Sequence, residues 1–143
     1  MKRFGTVCVD ASIVVRRVAA VVDSDVSDLW AQWEERRVML VAPSMLHYEV
    51  ANALHQYRRG GSRSTTALLA SLRAALALPI TLHDDDSMHE LATDIAGRFS
   101  LRATYDAHYL ALAERLGAEF WTADKRLAHA VRPDLNWVRL LGE

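Results

Sequence analysis

The chain has 143 residues, of which 51% are hydrophobic and 24% charged, and its formal net charge at pH 7 is −1. This composition predicts a folded globular protein and excludes a disordered one, because a charge-rich, apolar-poor chain cannot bury a core. The near-neutral charge lacks the basic excess of proteins that coat nucleic acid, so any nucleic-acid contact has to be local.

No apolar run approaches the roughly 18 residues that are needed to span a bilayer, and the first residues show no signal-peptide core. We therefore expect one domain over residues 1–143, in the cytoplasm and with no membrane partner. The single cysteine, Cys8, cannot form an internal disulfide and lies in an apolar run, which predicts burial as a small hydrophobic residue.

Apolar runs alternate with amphipathic segments along the whole chain. In chain order, the predicted elements are a strand at 6–9, a helix at 11–20, a helix marked by Leu29, Trp30 and Trp33, a strand at 38–42, a helix at 44–59, a helix at 64–77, a strand at 80–82, a helix at 85–98, a helix from the possible cap Thr104 to Leu116, a strand at 119–122, a short helix capped by Asp124 before Pro133, and a strand at 137–140. Strands that alternate with helices predict the α/β class, with a mostly parallel central sheet of about four to five strands and helices on both faces.

Four acids occupy positions from which their side chains can meet. Asp10 and Asp124 fall at or just past strand ends, and ligands of open α/β sheets bind beyond the carboxyl ends of the strands. Glu49 flanks the apolar stripe of its helix, whereas Asp106 lies on the apolar face of its own helix. A helix dipole stabilises such a charge by only ~0.3–1 kcal/mol, against several kcal/mol for burying an unpaired carboxylate, so Asp106 requires a partner.

Converging carboxylates repel one another unless a divalent cation lies between them. A set of Asp and Glu oxygens suits Mg²⁺ or Mn²⁺ and leaves coordination positions for water and a substrate phosphate. The residues therefore predict metal-assisted phosphodiester hydrolysis, with a metal-bound water as the nucleophile. Ser12 and Thr122 are each two residues from one of the acids, so their hydroxyls can orient the carboxylates, or act as local capping and turn hydroxyls.

Each acid also has a structural explanation by itself. Asp10 and Asp124 suit helix N-caps, Asp106 suits a first-turn partner of the helix dipole, and Glu49 suits the boundary of an amphipathic helix. All four explanations would have to hold together by coincidence, which favours a shared site.

Basic and aromatic residues near these acids are open to two interpretations. Arg16, Arg17, Lys125 and Arg126 follow the two strand-end acids and are candidate contacts for RNA phosphates, but they equally suit a solvated helix face. Trp30 and Trp33 suit core or subunit-interface anchors better than base-stacking platforms.

His55, His83, His89 and His129 carry no motif. His47 and His108 lie on the acid-bearing helices and could touch a substrate, but a partly buried or surface imidazole is the more common structural role at such positions.

Four segments resemble the motifs of the PIN-domain nucleases, specifically of the VapC toxins of bacterial and archaeal toxin–antitoxin pairs. The segments are VCVDAS at 7–12, YEVANAL at 48–54, YDAHYLALA at 105–113 and FWTAD at 120–124. The resemblance covers nearly the whole chain, and all four acidic positions are retained.

This resemblance implies an endoribonuclease that depends on Mg²⁺ or Mn²⁺, with Asp10, Glu49, Asp106 and Asp124 as metal ligands and catalytic residues. It further implies a homodimer that a cognate VapB-like antitoxin holds inactive by filling the active-site groove. A housekeeping RNA-processing nuclease of the same fold would carry the same motifs, and a non-catalytic PIN-like module that binds RNA or protein is a further alternative.

A phosphoacceptor receiver domain is a rival of a different class. It would need an acidic pair after the first strand, where this chain has only Asp10.

Overall fold

A computed structural model describes residues 5–19, 21–61 and 63–143. The strands are β1 (Thr6–Val9), β2 (Met39–Pro43), β3 (Ile80–His83), β4 (Glu119–Thr122) and β5 (Val138–Leu140). The helices are α1 (Ala11–Val18), α2 (Ser24–Glu35), α3 (Leu46–Arg59), α4 (Thr65–Leu76), α5 (Met88–Arg98), α6 (Tyr105–Leu116) and α7 (Lys125–Val131). The alternation of strands and helices follows the predicted order.

The five strands form one sheet in the order β3-β2-β1-β4-β5, and every neighbouring pair is parallel. β1 lies at the centre, with Cys8 opposite Val41 of β2 and Phe120 of β4. Starting from β1, the chain adds β2 and β3 on one side of β1 in the sheet and then adds β4 and β5 on the other side. By the right-handed rule for parallel crossovers, α1–α4 lie on one face of the sheet and α5–α7 on the other, and the contacts of α1 with α3 and α4 and of α5 with α6 agree with this. The five-stranded parallel sheet confirms the predicted α/β class.

The core lies on both sides of the sheet, because successive residues of the central strands point to opposite faces and are all buried. This holds for Val7–Val9 in β1 and for Leu40–Ala42 in β2. Cys8 is buried, as predicted. Trp30 and Trp33 are also buried, and the Trp33 ring contacts Trp121 edge-on at a centroid distance of 6.0 Å, so both α2 tryptophans belong to the core.

The larger differences from the predicted boundaries include two helix starts. α3 begins two residues later than predicted, since the Ser44 N–H donates to the His83 carbonyl at 3.0 Å and extends the pairing of β2 with β3. α5 begins at Met88 rather than at residue 85, because the Asp85 carboxylate accepts the Ser87 N–H in a turn ahead of the helix. α1 ends at Val18, and the predicted end at Ala20 lies outside the described residues.

Two acids suited helix N-caps, and only one of them caps its helix through its side chain. The Asp124 carboxylate accepts the Leu127 N–H at 3.1 Å and caps α7, as predicted. Asp10 precedes α1 but makes no side-chain capping bond, so that explanation of Asp10 is wrong. Thr104 occupies the N-cap position of α6 without a capping side chain, and only its position was predicted correctly.

In the described parts of the chain, no helix combines the length and the apolar character needed to cross a membrane.

Candidate active site

A cleft opens at the carboxyl edge of the sheet, where β1 and β4 lie side by side. Asp10 directly follows β1, and Asp124 follows β4 after one intervening residue. The chain leaves β1 towards one edge of the sheet and returns through β4 towards the other, so this is the switch point at which doubly wound proteins bind ligands.

All four acids line this cleft, which has a volume of about 390 Å³. Glu49 comes from the first turn of α3 and Asp106 from the first turn of α6. The Asp10 side chain is buried, Glu49 and Asp106 are partly buried, and Asp124 is exposed. Sequence spacing predicted that these side chains share one crevice, and in the structure all four line the same cleft.

Two hydroxyls hold the buried carboxylate of Asp10. Ser12 Oγ and Thr122 Oγ1 each donate to Asp10 Oδ2 at 2.7 Å. Each hydroxyl oxygen also accepts a backbone N–H, from Ala123 at 2.9 Å and from Asp124 at 3.0 Å. The backbone donors direct both hydroxyl protons towards Asp10, so this network fixes the carboxylate and ties the end of β1 to the turn after β4.

Glu49 has a partner that sequence reasoning missed. The Tyr109 hydroxyl donates to Glu49 Oε1 at 2.6 Å, and the Tyr109 side chain is fully buried. Helical spacing puts Tyr109 on the apolar face of α6 and so indicates its burial, but it does not reveal this hydrogen bond. The available signal was its chemistry, because a buried tyrosine almost always has a partner for its hydroxyl.

Burial and mutual repulsion raise the pKa of three of the acids. Desolvation is the largest cause of the raised pKa of Asp10; the Thr122 and Ser12 hydroxyls oppose it, and the charge of Asp124 adds to it. Burial also raises the pKa of Glu49, against the Tyr109 hydrogen bond and with the charges of Asp10 and Asp106. Burial, then the charges of Asp10 and Asp124, raise the pKa of Asp106 to about 6.

Among the described residues, direct ion pairs do not offset this negative charge. Within the described ranges, no ion pair involves any of the four acids. Oxygen donors that repel one another suit a hard divalent cation, so the residues fit Mg²⁺ or Mn²⁺ in donor type. Over the same ranges, no three acidic, histidine or cysteine side chains form a ready-made metal cluster.

The four basic residues predicted as contacts for RNA phosphates differ in their position relative to the cleft. Arg16 is exposed, lines the cleft and lies 3.7 Å from the Asp23 carboxylate. Arg17 turns away and lies over the Trp30 ring at 5.4 Å. Lys125 and Arg126 are exposed at the start of α7 and do not line the cleft.

Comparison with known proteins points to one family. The model of the PIN domain family matches residues 7–133. Ribonuclease VapC3 of Mycobacterium tuberculosis, in each of two strains, is 36% identical over 94 residues. That alignment spans 66% of this chain and 66% of the relative, which is just under two thirds of its length.

Solved structures that resemble this chain include two crystal structures. The protein PAE2754 from Pyrobaculum aerophilum matches with a TM-score of 0.67 and 26% identity, over 87% of this chain and 85% of that one. VapC20 of Mycobacterium tuberculosis, described as a toxin that cleaves the sarcin–ricin loop, matches with a TM-score of 0.64 and 20% identity, over 87% and 94% of the two chains. The VapC20 match shows the shared fold alone. Because the family model spans most of the sequence, this chain belongs to the PIN domain family.

Proposed function

We propose that residues 1–143 form a metal-dependent endoribonuclease of the VapC type. The observation that carries this proposal is the convergence of four carboxylates, from four different elements, on one cleft at the switch point of the sheet. The family match and the similarity to Ribonuclease VapC3 support RNA as the substrate.

In this proposal, Asp10, Glu49, Asp106 and Asp124 are the catalytic residues and hold Mg²⁺ or Mn²⁺. A bound divalent ion supplies a water of lowered pKa and neutralises charge that develops on the phosphate. Ser12 and Thr122 orient the Asp10 carboxylate, and the Tyr109 hydroxyl orients Glu49.

Arg16 is the basic residue best placed to contact an RNA phosphate, since it lines the cleft beside the acids. An arginine there offsets the repulsion between a polyanion and an acidic site. Arg17, Lys125 and Arg126 stay as proposed contacts for RNA outside the cleft.

The relationship to VapC proteins also supports a role for this chain as a toxin. We infer on that basis a cognate VapB-like antitoxin partner, a homodimeric assembly and a cytoplasmic location.

The first experiment compares RNA cleavage in Mg²⁺, Mn²⁺ and EDTA, with protein purified free of any bound partner. The Asp106→Asn variant removes one charge from the cleft, whereas Asp94→Asn removes one from the exposed face of α5 as a matched control. We expect the wild type and Asp94→Asn to cut a mixed RNA pool only with a divalent ion, and Asp106→Asn to be slower by about a hundredfold or more.

Two results would contradict the proposal. One is full activity of Asp106→Asn, and the other is an equal loss in both variants. A wild type that binds Mn²⁺ and RNA in calorimetry but cuts no RNA would favour the non-catalytic module.

A further inference from the structure

A second cavity lies on the same edge of the sheet, beside the ends of β2 and β3. Its volume is about 50 Å³, and its lining includes His83, His89 and His108. These are three of the six histidines in the chain, and they come from the end of β3, the first turn of α5 and the first turn of α6. A space of this size holds an ion or a few waters and is too small for a nucleobase.

Two of these imidazoles already face each other through ring nitrogens. His89 Nδ1 lies 2.9 Å from His108 Nε2, and the two ring centroids are 5.0 Å apart. Nitrogens bound to one tetrahedral Zn²⁺ at ~2.0–2.1 Å lie about 3.3 Å apart. Binding would release the shared proton to solvent, open the pair by about 0.4 Å and turn both rings so that their lone pairs converge on an ion that lies off the line between the two nitrogens.

The other nitrogen of His108 has the partner that a metal ligand needs. His108 Nδ1 lies 2.7 Å from the Thr104 carbonyl oxygen, which only accepts, so Nδ1 carries the proton. The Nε2 lone pair then faces His89. A histidine that binds a metal typically donates its second ring N–H to a backbone carbonyl or carboxylate, which fixes the tautomer and the ring orientation.

We propose that His89 and His108, with His83 as the third ligand, form a site for a borderline transition-metal ion such as Zn²⁺. Imidazole donors select Zn²⁺ over the hard Mg²⁺ and Mn²⁺ that suit the acidic cleft. His83 lines the same cavity as the pair. In the described parts of the chain no three such side chains are already gathered around one point, so His83 would have to turn towards the pair to complete the site. Binding would cross-link the starts of α5 and α6 to the end of β3.

This site is separate from the acidic cleft. Asp106 precedes His108 by two residues in α6, so their side chains leave the helix about 200° apart. None of the three histidines lines the acidic cleft. The proposed Zn²⁺ site therefore does not depend on nuclease activity.

Isothermal titration calorimetry with ZnCl₂ tests this site in chelator-treated, tag-free protein. Excess Mg²⁺ is present throughout to occupy the acidic cleft. We expect the wild type to bind one equivalent of Zn²⁺, and His89→Ala or His108→Ala to bind on the order of tenfold more weakly or worse. His83→Ala should also weaken binding. His129→Ala, at an exposed position on α7, and Asp106→Asn should bind as the wild type does.

The proposal is overturned if the wild type takes up no Zn²⁺, if His89→Ala binds as the wild type does, or if Asp106→Asn loses the Zn²⁺ signal. Circular dichroism without metal checks the fold of each variant. His89 is exposed, so its variant decides the question even where His108→Ala does not fold.

Discussion

The orientation of the Glu49 carboxylate depends on one hydrogen bond, which the Tyr109 hydroxyl donates. Tyr109→Phe keeps the buried ring and removes only this donor. We expect Mn²⁺ affinity and RNA cleavage to fall by about tenfold, since partners that orient metal ligands typically contribute 10–100-fold. The free energy of unfolding should fall by only about 0.5–1.5 kcal/mol. Calorimetry with Mn²⁺ and urea unfolding measure the two effects separately.

Tyr105→Phe is the matched control, because Tyr105 is exposed at the start of the same helix. It should change neither quantity. Unaltered Mn²⁺ affinity in Tyr109→Phe would show that the hydroxyl has no positioning role.

Asp106 makes the metal-free protein sensitive to pH. Its pKa is raised to about 6 from the ordinary aspartate value of 3.8, so the folded protein binds this proton more tightly than the unfolded chain does. The resulting stabilisation is fully present below about pH 4 and is lost as the pH rises through about 6. In EDTA, the wild type should therefore lose stability between pH 5 and pH 7.5, and Asp106→Asn should lose less.

Thermal or urea unfolding at several pH values measures this difference. At pH 7.5 in EDTA, Asp106→Asn should be more stable than the wild type by about 1–2 kcal/mol, a figure reduced for the partial exposure of the carboxylate. Parallel pH profiles of the two proteins would exclude Asp106 as the titrating group.

At the scale of elements, the end of α6 depends on a left-handed residue. Gly117 has φ 62° and ψ 34°, and its N–H donates to carbonyls of the last helical turn. Gly117→Ala should destabilise the protein by about 1–2 kcal/mol, because a Cβ is strained in this conformation. Gly97 lies inside α5, where an added Cβ meets nothing within 4 Å.

Gly97→Ala should therefore stabilise the protein by about 0.5–1 kcal/mol through helix propensity. Urea unfolding of the two alanine variants gives effects of opposite sign if this account is correct. A neutral Gly117→Ala would mean that the turn after α6 adopts another conformation.

The bounds of an element can be predicted where the interactions that fix its ends are between residues close together in the sequence. Thr6–Val9 and Glu119–Thr122 have the predicted bounds, because an apolar strand core and its flanking breakers are local signals. Asp124 as a cap was equally local. The start of α3 was misplaced because Ser44 bonds to His83, a partner 39 residues away that no local pattern contains.

The same limit applies to the candidate site. Strand ends and helix faces placed the four acids correctly around one cleft, since each position depends on its own element. The contact of Glu49 with Tyr109 joins residues 60 positions apart, and spacing carries no information about such a pair.

At the scale of the whole molecule, a net charge of −1 gives little long-range attraction for RNA. The proposed RNA binding then depends on local contacts, and among the described residues Arg16 is the basic side chain that lines the cleft. Arg16→Gln should raise the KM for RNA several-fold, leave kcat nearly unchanged, and reduce the slope of log KM against log salt by up to about one.

Arg17→Gln removes the same charge from the neighbouring residue, which lies over Trp30. It should leave the KM and its salt dependence close to those of the wild type. Cleavage rates at several NaCl concentrations give both quantities, and equal effects of the two substitutions would point to general electrostatics rather than a contact in the cleft.

The hydrogen bond between Thr122 and Asp10 joins positions 112 residues apart, and β1 pairs with β4 at the same place. During synthesis on the ribosome, the growing chain therefore carries Asp10 and Glu49 long before Asp106 and Asp124 emerge from the exit tunnel. Until that late stage Asp10 lacks the hydrogen bond from the Thr122 hydroxyl, and the cleft lacks Asp106 and Asp124. A site built this way stays incomplete while the chain is being translated, and a chain that terminates before β4 cannot assemble it.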